Sequence, residues 1–276
     1  MLSTPSSQFP GRRMMLFIST ALLLQTSSVW AQQAASEPVP PEPPNMVEIF
    51  NGKDLTGWAG HPGVWSVQDG VIRGSRSGLS ATQRTGISSN TFLIWEGGEP
   101  ADFELRLSAR LHRGSNSGIQ IRSRHLKDYQ PEEKHRERYA DNRWVVSGYQ
   151  VEMTNRQPEH AAMLYEELGR SKLCLPGNRV VRQSGREQTT TPLDNYEQAL
   201  KAYHCDLSEN PPWNEFVIVA QKDRIRVWVN GIQTVDFVDQ EIDRRAESGV
   251  IALQLHTQMS WVEFKDLRIK LLGKNP

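Results

Sequence analysis

Side chains capable of chemistry alternate with apolar ones in two short segments of this 276-residue chain. The polar members are Gln120, Arg122, Gln150 and Glu152. Successive side chains of a strand point to opposite faces, so each segment would bury an apolar face and present these groups on the other. The pattern predicts a polar binding sheet. Arg122 has two interpretations: a structural cross-strand pair with Glu152, or stabilisation of negative charge on a reacting oxygen.

Two further strand-like segments show the same alternation, with Gln254 and His256 in one and Arg226 and Trp228 in the other. If all four strands belong to one sheet, its outer face combines amide, carboxylate, guanidinium, imidazole and indole groups. Planar polar groups bond sugar hydroxyls and an aromatic ring packs on the apolar face of a pyranose, so this set favours a carbohydrate ligand. The alternative is an ordinary solvated sheet face, where alternation is expected anyway.

A charged segment supplies Glu166, Glu167 and Arg170 beside a predicted strand. Such a loop can contribute acid, base or metal-binding oxygens at the rim of a sheet, or it can be a salt-bridged surface turn. Its carboxylates could hold Ca²⁺ or a similar divalent cation, although their spacing fits no strong motif. His256 lies near the end of its predicted strand, where an imidazole can shuttle a proton or simply form hydrogen bonds.

The elements that must position these residues are short strands with turn signals between them. The run 103–111 alternates strictly, and Asp-Gly at 69–70 and Asn-Gly at 230–231 are typical of tight hairpins. Helical signal is sparse, with a short helix predicted within 192–203 and a charged helical turn within 130–139. The chain contains neither a dinucleotide-binding nor a phosphate-binding glycine motif. The sequence therefore predicts an all-β fold, a two-sheet antiparallel β-sandwich of jelly-roll type.

The pattern of residues at the N-terminus predicts an export signal at 1–31. Arg12 and Arg13 precede the apolar stretch 14–24, and cleavage is expected after Ala31. An uncleaved membrane anchor is the alternative. Export to the periplasm or the extracellular space follows, without a stable membrane span once the signal is removed.

Four segments are expected along the chain: the signal at 1–31, a Pro-rich linker at 32–46, one domain at 47–272 and a tail at 273–276. The linker is predicted to be extended and solvated. Acidic and basic residues balance at 32 each, which gives no electrostatic case for nucleic acid. Cys174 and Cys205 could form a disulfide or remain two separate thiols.

Several motifs together resemble those of one known family. The segments EIFNGKDLTGW at 48–58, NSGI at 116–119, GYQ at 148–150, LYEE at 164–167 and GVIALQLH at 249–256 resemble the 3-keto-disaccharide hydrolase domain family in order and spacing. The resemblance covers about residues 47–272. It implies a concanavalin A-like jelly roll that bacteria export for carbohydrate breakdown, with glycosides oxidised at C3 as substrates.

The resemblance also implies a reaction, in which a base removes the C2 proton, the enolate expels the C1 substituent, and water then adds. Glu152 or His256 would serve as the base, Arg122 would stabilise the enolate, and Glu167 would orient the substrate. The residues expected to bind substrate are Gln120, Gln150, Tyr165, Arg170, Trp228 and Gln254. Whether the outcome is hydrolysis or elimination, and whether a metal is needed, stays open.

Two other functions fit the same residues. One is a non-catalytic carbohydrate-binding module on the same fold, because fold does not imply function. The other is an extracellular interaction protein whose polar sheet face is merely solvated. A charged insert at 127–142 is predicted to be a lid or a partner-binding loop.

Overall fold

The computed structural model describes Met1 and residues 33–80, 82, 87–88, 90–133, 136, 142–256 and 261–273. By its contacts the chain divides into two units, Met1–Ala31 and Gln32–Pro276, and every strand belongs to the second. The predicted signal peptide lies outside the described residues except for Met1. Within the described ranges, no helix has both the length and the apolar character needed to cross a membrane.

Strands dominate the described ranges. In chain order they are β1 (Val47–Glu48), β2 (Trp58–Ala59), β3 (Trp65–Gln68), β4 (Val71–Ser75), β5 (Thr91–Trp95), β6 (Phe103–Leu111), β7 (Asn116–His125), β8 (Val146–Thr154), β9 (Leu164–Glu167), β10 (Ser171–Cys174), β11 (Asn178–Gln183), β12 (Thr189–Pro192), β13 (Asn214–Gln221), β14 (Arg224–Val229), β15 (Ile232–Gln240), β16 (Val250–Leu255) and β17 (Trp261–Leu271). A single helical turn, α1 (Tyr196–Ala199), and the 3₁₀ turns Asn142–Trp144 and Pro158–His160 interrupt them. The helix predicted within 192–203 is thus one turn long, and half of the segment 130–139, where a helical turn was predicted, falls outside the described residues.

The described strands form two sheets. The smaller sheet has the order β10-β9-β8-β7-β16-β5-β2. The larger has the order β12-β11-β15-β14-β13-β6-β17-β4-β3, and β1 also pairs with β17. Neighbouring strands are antiparallel except β11 and β15, which run parallel.

Apolar residues at every second position of the strands form the core between the two sheets. The inward residues of β6 are the apolar ones at alternate positions, Phe103, Leu105, Leu107, Ala109 and Leu111, all at most 2% exposed. Ile119, Ile121, Val151 and Met153 of the smaller sheet are fully buried in the same cluster. Each of these side chains that is larger than alanine contributes about 1.5–3 kcal/mol by leaving water. The predicted two-sheet jelly-roll sandwich is confirmed.

The predicted linker contacts the larger sheet, and its described residues are half-buried or exposed to solvent. Its described part, residues 33–46, is called the strap here. Ala34 forms a parallel bridge with Leu193, the Pro40 carbonyl accepts a hydrogen bond of 2.6 Å from Arg106, and Glu42 pairs with Arg268. Proline keeps the strap extended, as predicted, while its carboxylates meet arginines that point outward from the sheet.

Candidate functional site

A small polar cleft opens on the outer face of the smaller sheet. Its volume is about 150 Å³, and its lining is Asn116, Gln150, Glu152, Tyr165, Glu167 and His256. Five of these six residues were predicted from the sequence as catalytic or substrate-binding. The structure therefore brings together side chains from β7, β8, β9 and the end of β16 that lie up to 140 positions apart in the chain.

Strand register explains how the cleft forms. Gln150 of β8 stands opposite Gln120 of β7 on one side and Tyr165 of β9 on the other, so the three share the outer face. Gly118 stands opposite Glu152. A Cβ atom at Gly118 would collide with the Gln150 side chain, so glycine lets the Gln150 amide lie across β7 toward Glu152.

The Glu152 carboxylate is fixed by neutral donors. Gln150 Nε2 donates to its Oε2 at 2.6 Å, and Asn116 Nδ2 donates to its Oε1. The residue is only 7% exposed. Hydrogen bonds to the charged form of a carboxylate favour that form, so this arrangement favours an ionised group directed at the cleft.

Glu167 and Gln254 are more deeply buried than Glu152. Glu167 is 1% exposed and accepts a hydrogen bond of 3.1 Å from Asn90. Gln254 is fully buried, outside the cleft lining, and neither its Oε1 nor its Nε2 has a hydrogen-bond partner in the part of the chain that the structure describes. A buried amide without partners is costly, so the sheet accommodates Gln254 at a cost in stability.

Arg122 departs from its predicted place because β7 contains a bulge. The register with β8 shifts between Ile121 and Arg124, and Arg122 adopts a φ of 45°. Its guanidinium donates to the carbonyls of Ala101 and Lys222 at 2.7 Å and to Asp102 at 3.0 Å. The predicted outward parity of Arg122 is wrong. It forms its ion pair with Asp102 and not with Glu152, and each of its three nitrogens has a partner.

Arg170 and Glu166 are also outside the cleft. Arg170 bonds Glu166 at 2.8 Å, Asp239 of the larger sheet at 2.7 Å and Glu241 at 2.8 Å, with 2% of its side chain exposed. Burial opposes its charge, but these carboxylates outweigh burial and raise the pKa of the guanidinium. The Tyr149 hydroxyl bonds Asp239 at 2.5 Å in the same network. Arg170 thus ties the two sheets together.

Trp228 and Arg226 lie on β14 of the larger sheet, so only three of the four polar strands share a face. Trp228 is 1% exposed and packs under the strap with Val39, Val217 and Val219. Its indole N–H donates to the Glu37 carbonyl at 2.8 Å. The expectation that Trp228 presents a ring to a sugar on the cleft face is therefore wrong.

The charged insert is described only in part, since 134–135 and 137–141 lie outside the described residues. Next to those gaps, Tyr129 and Trp144 pack with Leu126 on the outward residues Phe92 and Ile94 of β5. Tyr129 of the insert and the flanking residues Leu126 and Trp144 therefore cover the apolar part of the same sheet face whose polar part is the cleft. This apolar cover was not predicted from the charge of the segment.

The described residues give no support to a metal centre: they contain no group of three or more His, Cys, Asp or Glu side chains arranged to hold an ion. Cys174 and Cys205 are free thiols. Burial raises the pKa of the Cys174 thiol, and its Sγ donates to the Asn178 carbonyl at 3.2 Å.

Asn116 is the cleft residue that sequence reasoning quoted without assigning a role. It has the parity of Gln120 and begins the same strand, so alternation could have placed it on the outer face. Its contact with Glu152 depends on the pairing of β7 with β8, a strand that begins 30 residues later. The parity of a residue within its own strand does not predict which strand pairs with it.

Comparison with known proteins gives a family. The family model described as the 3-keto-alpha-glucoside-1,2-lyase-like domain matches residues 45–270. Two crystal structures from Parabacteroides distasonis ATCC 8503, both named provisionally as glycosyl hydrolases, share 19% and 17% identity with TM-scores of 0.45 and 0.49. The alignments cover 83% and 82% of this chain and 94% and 99% of those chains.

A carbohydrate binding module from Bacillus subtilis is similar at 10% identity with a TM-score of 0.44, over 78% of this chain and 95% of that one. No curated protein matches the chain.

Proposed function

This chain belongs to the 3-keto-alpha-glucoside-1,2-lyase-like domain family, and from that premise we propose that it cleaves the glycosidic bond of sugars oxidised at C3. Membership makes it a carbohydrate-active enzyme-like protein. The observation that carries the finer proposal is the cleft, where the carboxylate of Glu152 and the imidazole of His256 line one cavity with Tyr165.

A ketone at C3 acidifies the C2–H bond beside it, so the reaction begins with proton abstraction. Glu152 takes the C2 proton, and the C–H electron pair forms the C2–C3 enolate. The enolate then re-forms the C3 carbonyl, a C1–C2 double bond forms, and the C1–O bond to the leaving group breaks. Water adding at C1, with a proton returned to C2, completes hydrolysis. If the product leaves before water adds, the outcome is elimination.

Glu152 is assigned as the base because it lines the cleft and because two amide donors, Gln150 and Asn116, orient its carboxylate and favour its charged form. This assignment replaces the earlier alternative in which His256 is the base.

His256 is assigned as the acid for the leaving oxygen. It follows β16 at the mouth of the cleft and is half-buried, so it can face the part of a substrate that extends to solvent. Tyr165 can donate its hydroxyl to the C3 oxygen, which is the role first expected of Arg122. Glu167, which lines the cleft, is assigned to sugar hydroxyls, whereas Gln254 is fully buried outside the lining and cannot bind substrate directly.

The test uses the chain from Gln32 onward with a 3-keto-glucoside in D₂O, and the same glucoside without the C3 ketone as the matched control. We expect release of the aglycone from the oxidised sugar only, with deuterium at C2 of the sugar product. Parallel reactions with EDTA and with Ca²⁺ decide the metal requirement. No release from the oxidised sugar under either condition would overturn the proposal, and saturable binding of the unoxidised sugar without turnover would indicate a binding module.

Export is part of the proposal, and the segment 1–31 supports it through its basic residues and apolar stretch. Expression of the full chain in a bacterial host should yield a protein outside the cytoplasm whose N-terminal residue is Gln32. A full-length chain retained in the membrane fraction would indicate an anchor instead.

A further inference from the structure

A chain of hydrogen bonds crosses the smaller sheet and ends on Glu152. Ser123 Oγ donates to Gln120 Oε1 at 2.6 Å, and Gln120 Nε2 donates to Gln150 Oε1 at 2.7 Å. Gln150 Nε2 in turn donates to Glu152 Oε2 at 2.6 Å. Ser123, Gln120 and Gln150 are each at most 2% exposed, so water does not compete along the chain.

The carboxylate sets the direction of every link. An ionised carboxylate only accepts hydrogen bonds, so Gln150 must turn its NH₂ group toward Glu152 and its oxygen toward Gln120. The same logic turns the NH₂ group of Gln120 toward Gln150 and leaves its oxygen for the Ser123 hydroxyl. All three links therefore donate toward Glu152, and bonds aligned in this way strengthen one another in a low-dielectric interior.

We propose that Ser123 and Gln120 are positioning residues for Glu152, which act through Gln150 to hold the carboxylate oriented and ionised. The inference deepens the proposed function and rests on it for the role of Glu152 as base. It also changes the sequence-based assignment of Gln120, which is fully buried and outside the cleft lining and so cannot bind substrate directly.

The backbone around Ser123 supports this role. The bulge at Arg122 and Ser123 leaves room only for glycine on the neighbouring strands. A Cβ atom at Gly148 would lie 2.6 Å from Ser123 Oγ, and one at Gly249 would lie 2.7 Å from Ser123 N. The bonds from Arg122 to Ala101, Lys222 and Asp102 hold the bulge in place. Arg122, which its parity had suggested as a catalytic residue, therefore fixes the position of Ser123, the first residue of the hydrogen-bond chain.

Other titratable groups also face Glu152. His256, Glu167 and Tyr165 line the same cleft, and buried Tyr203, between α1 and β13, feels the Glu152 charge. None of these groups belongs to the hydrogen-bond chain from Ser123 to Glu152, so substitutions at Ser123 or Gln120 leave them unchanged. An effect that follows the order of the chain can then be assigned to the chain itself.

The test measures the acid limb of the pH profile of kcat/KM on a 3-keto-glucoside for Gln150→Met, Gln120→Met and Ser123→Ala. Each variant removes one donor, so the limb should move to higher pH, by about one pH unit for Gln150→Met and by progressively less for the other two. Ser117→Ala is the matched control. Ser117 is a fully buried serine of the same strand whose hydroxyl bonds the Gln254 carbonyl at 2.6 Å, and its loss should leave the limb in place.

A ¹³C NMR titration of the Glu152 carboxyl in the same variants gives a second readout that needs no turnover. If the titration midpoint rises in chain order while the protein cleaves no keto-sugar, the positioning role stands and the proposed function fails. If the protein cleaves the keto-sugar but neither readout moves, or Ser117→Ala moves both equally, the positioning role is wrong. Should Gln150→Met not fold, the order between Gln120→Met and Ser123→Ala decides.

Discussion

The outer faces of the two sheets carry similar alternating polar residues, but one face has an open cleft and the other is covered by another part of the polypeptide. On the smaller sheet, amides and carboxylates bond one another and leave a cleft open beside Glu152. On the larger sheet, the strap lies across the outward arginines, and Glu37 pairs with Arg224 at 2.8 Å and with Arg226 at 2.5 Å. Alternation shows which side chains leave the core, but only long-range packing decides whether they meet solvent, ligand or another part of the chain.

The two carboxylates differ in what holds them. Glu152 accepts hydrogen bonds from neutral amides, whereas Glu37 accepts charge-assisted bonds from two guanidinium groups, which are the stronger kind. Protonating Glu37 would break ion pairs, whereas protonating Glu152 would weaken the hydrogen bonds that it accepts from the Asn116 and Gln150 amides. The first geometry fits a role in stability, and the second is the one to which the proposed function assigns proton transfer.

The largest expected effect is on activity, from Glu152→Gln. An amide cannot take the C2 proton, so kcat/KM on a 3-keto-glucoside should fall about 10²–10⁴-fold, the usual contribution of a general base. The midpoint of thermal unfolding should change little, because the amide still fits the Gln150 and Asn116 contacts in part. Glu159→Gln, at an exposed glutamate, is the control. Wild-type kcat/KM in Glu152→Gln would erase the contrast between the two faces.

The next effect is on stability, from Trp228→Ala on the other face. Removing a ring that is 1% exposed leaves a cavity under the strap and should lower the free energy of unfolding by about 3–5 kcal/mol. The activity of the folded fraction should be retained, since Trp228 is on the sheet opposite the cleft. Trp213→Ala removes a half-buried tryptophan of the same sheet face and should cost less. If Trp228→Ala lost sugar binding while its free energy of unfolding in denaturant stayed unchanged, Trp228 would instead have a ligand-binding role.

Much of this could be read from the sequence, because alternation is local. It predicted the inward set of β6, the strand pairs and five cleft residues. Three features depend on information that local pattern does not carry. The bulge at Arg122 reverses the direction in which one side chain points. The pairing of β14 with β13 and β15 decides to which sheet β14 belongs. The proline content predicts an extended strap but does not show which surface the strap covers.

The smallest expected effect is a pH dependence of the strap. Burial raises the pKa of Glu37, but hydrogen bonds and charge from Arg226 and Arg224 outweigh it, so the folded pKa lies below the ordinary value of 4.5. A carboxyl whose pKa is lowered on folding stabilises the protein above its unfolded pKa and loses that contribution as pH falls through the folded value. With 38% of the Glu37 side chain exposed, screening by water limits the contribution to about 0.5–1 kcal/mol.

The measurement compares the free energy of unfolding of the wild type and Glu37→Gln at pH 7 and at pH 3. The variant should be less stable at pH 7, and the difference should shrink toward pH 3, because the wild-type carboxylate gains a proton as the pH falls through its folded pKa. High salt at pH 7 should narrow it as well, because it screens exposed ion pairs. Glu209→Gln, at a glutamate with 78% of its side chain exposed, should show no such difference. A gap that stays constant with pH would mean that the ion pairs of Glu37 do not stabilise the strap, and the contrast in charge between the two faces would then be lost.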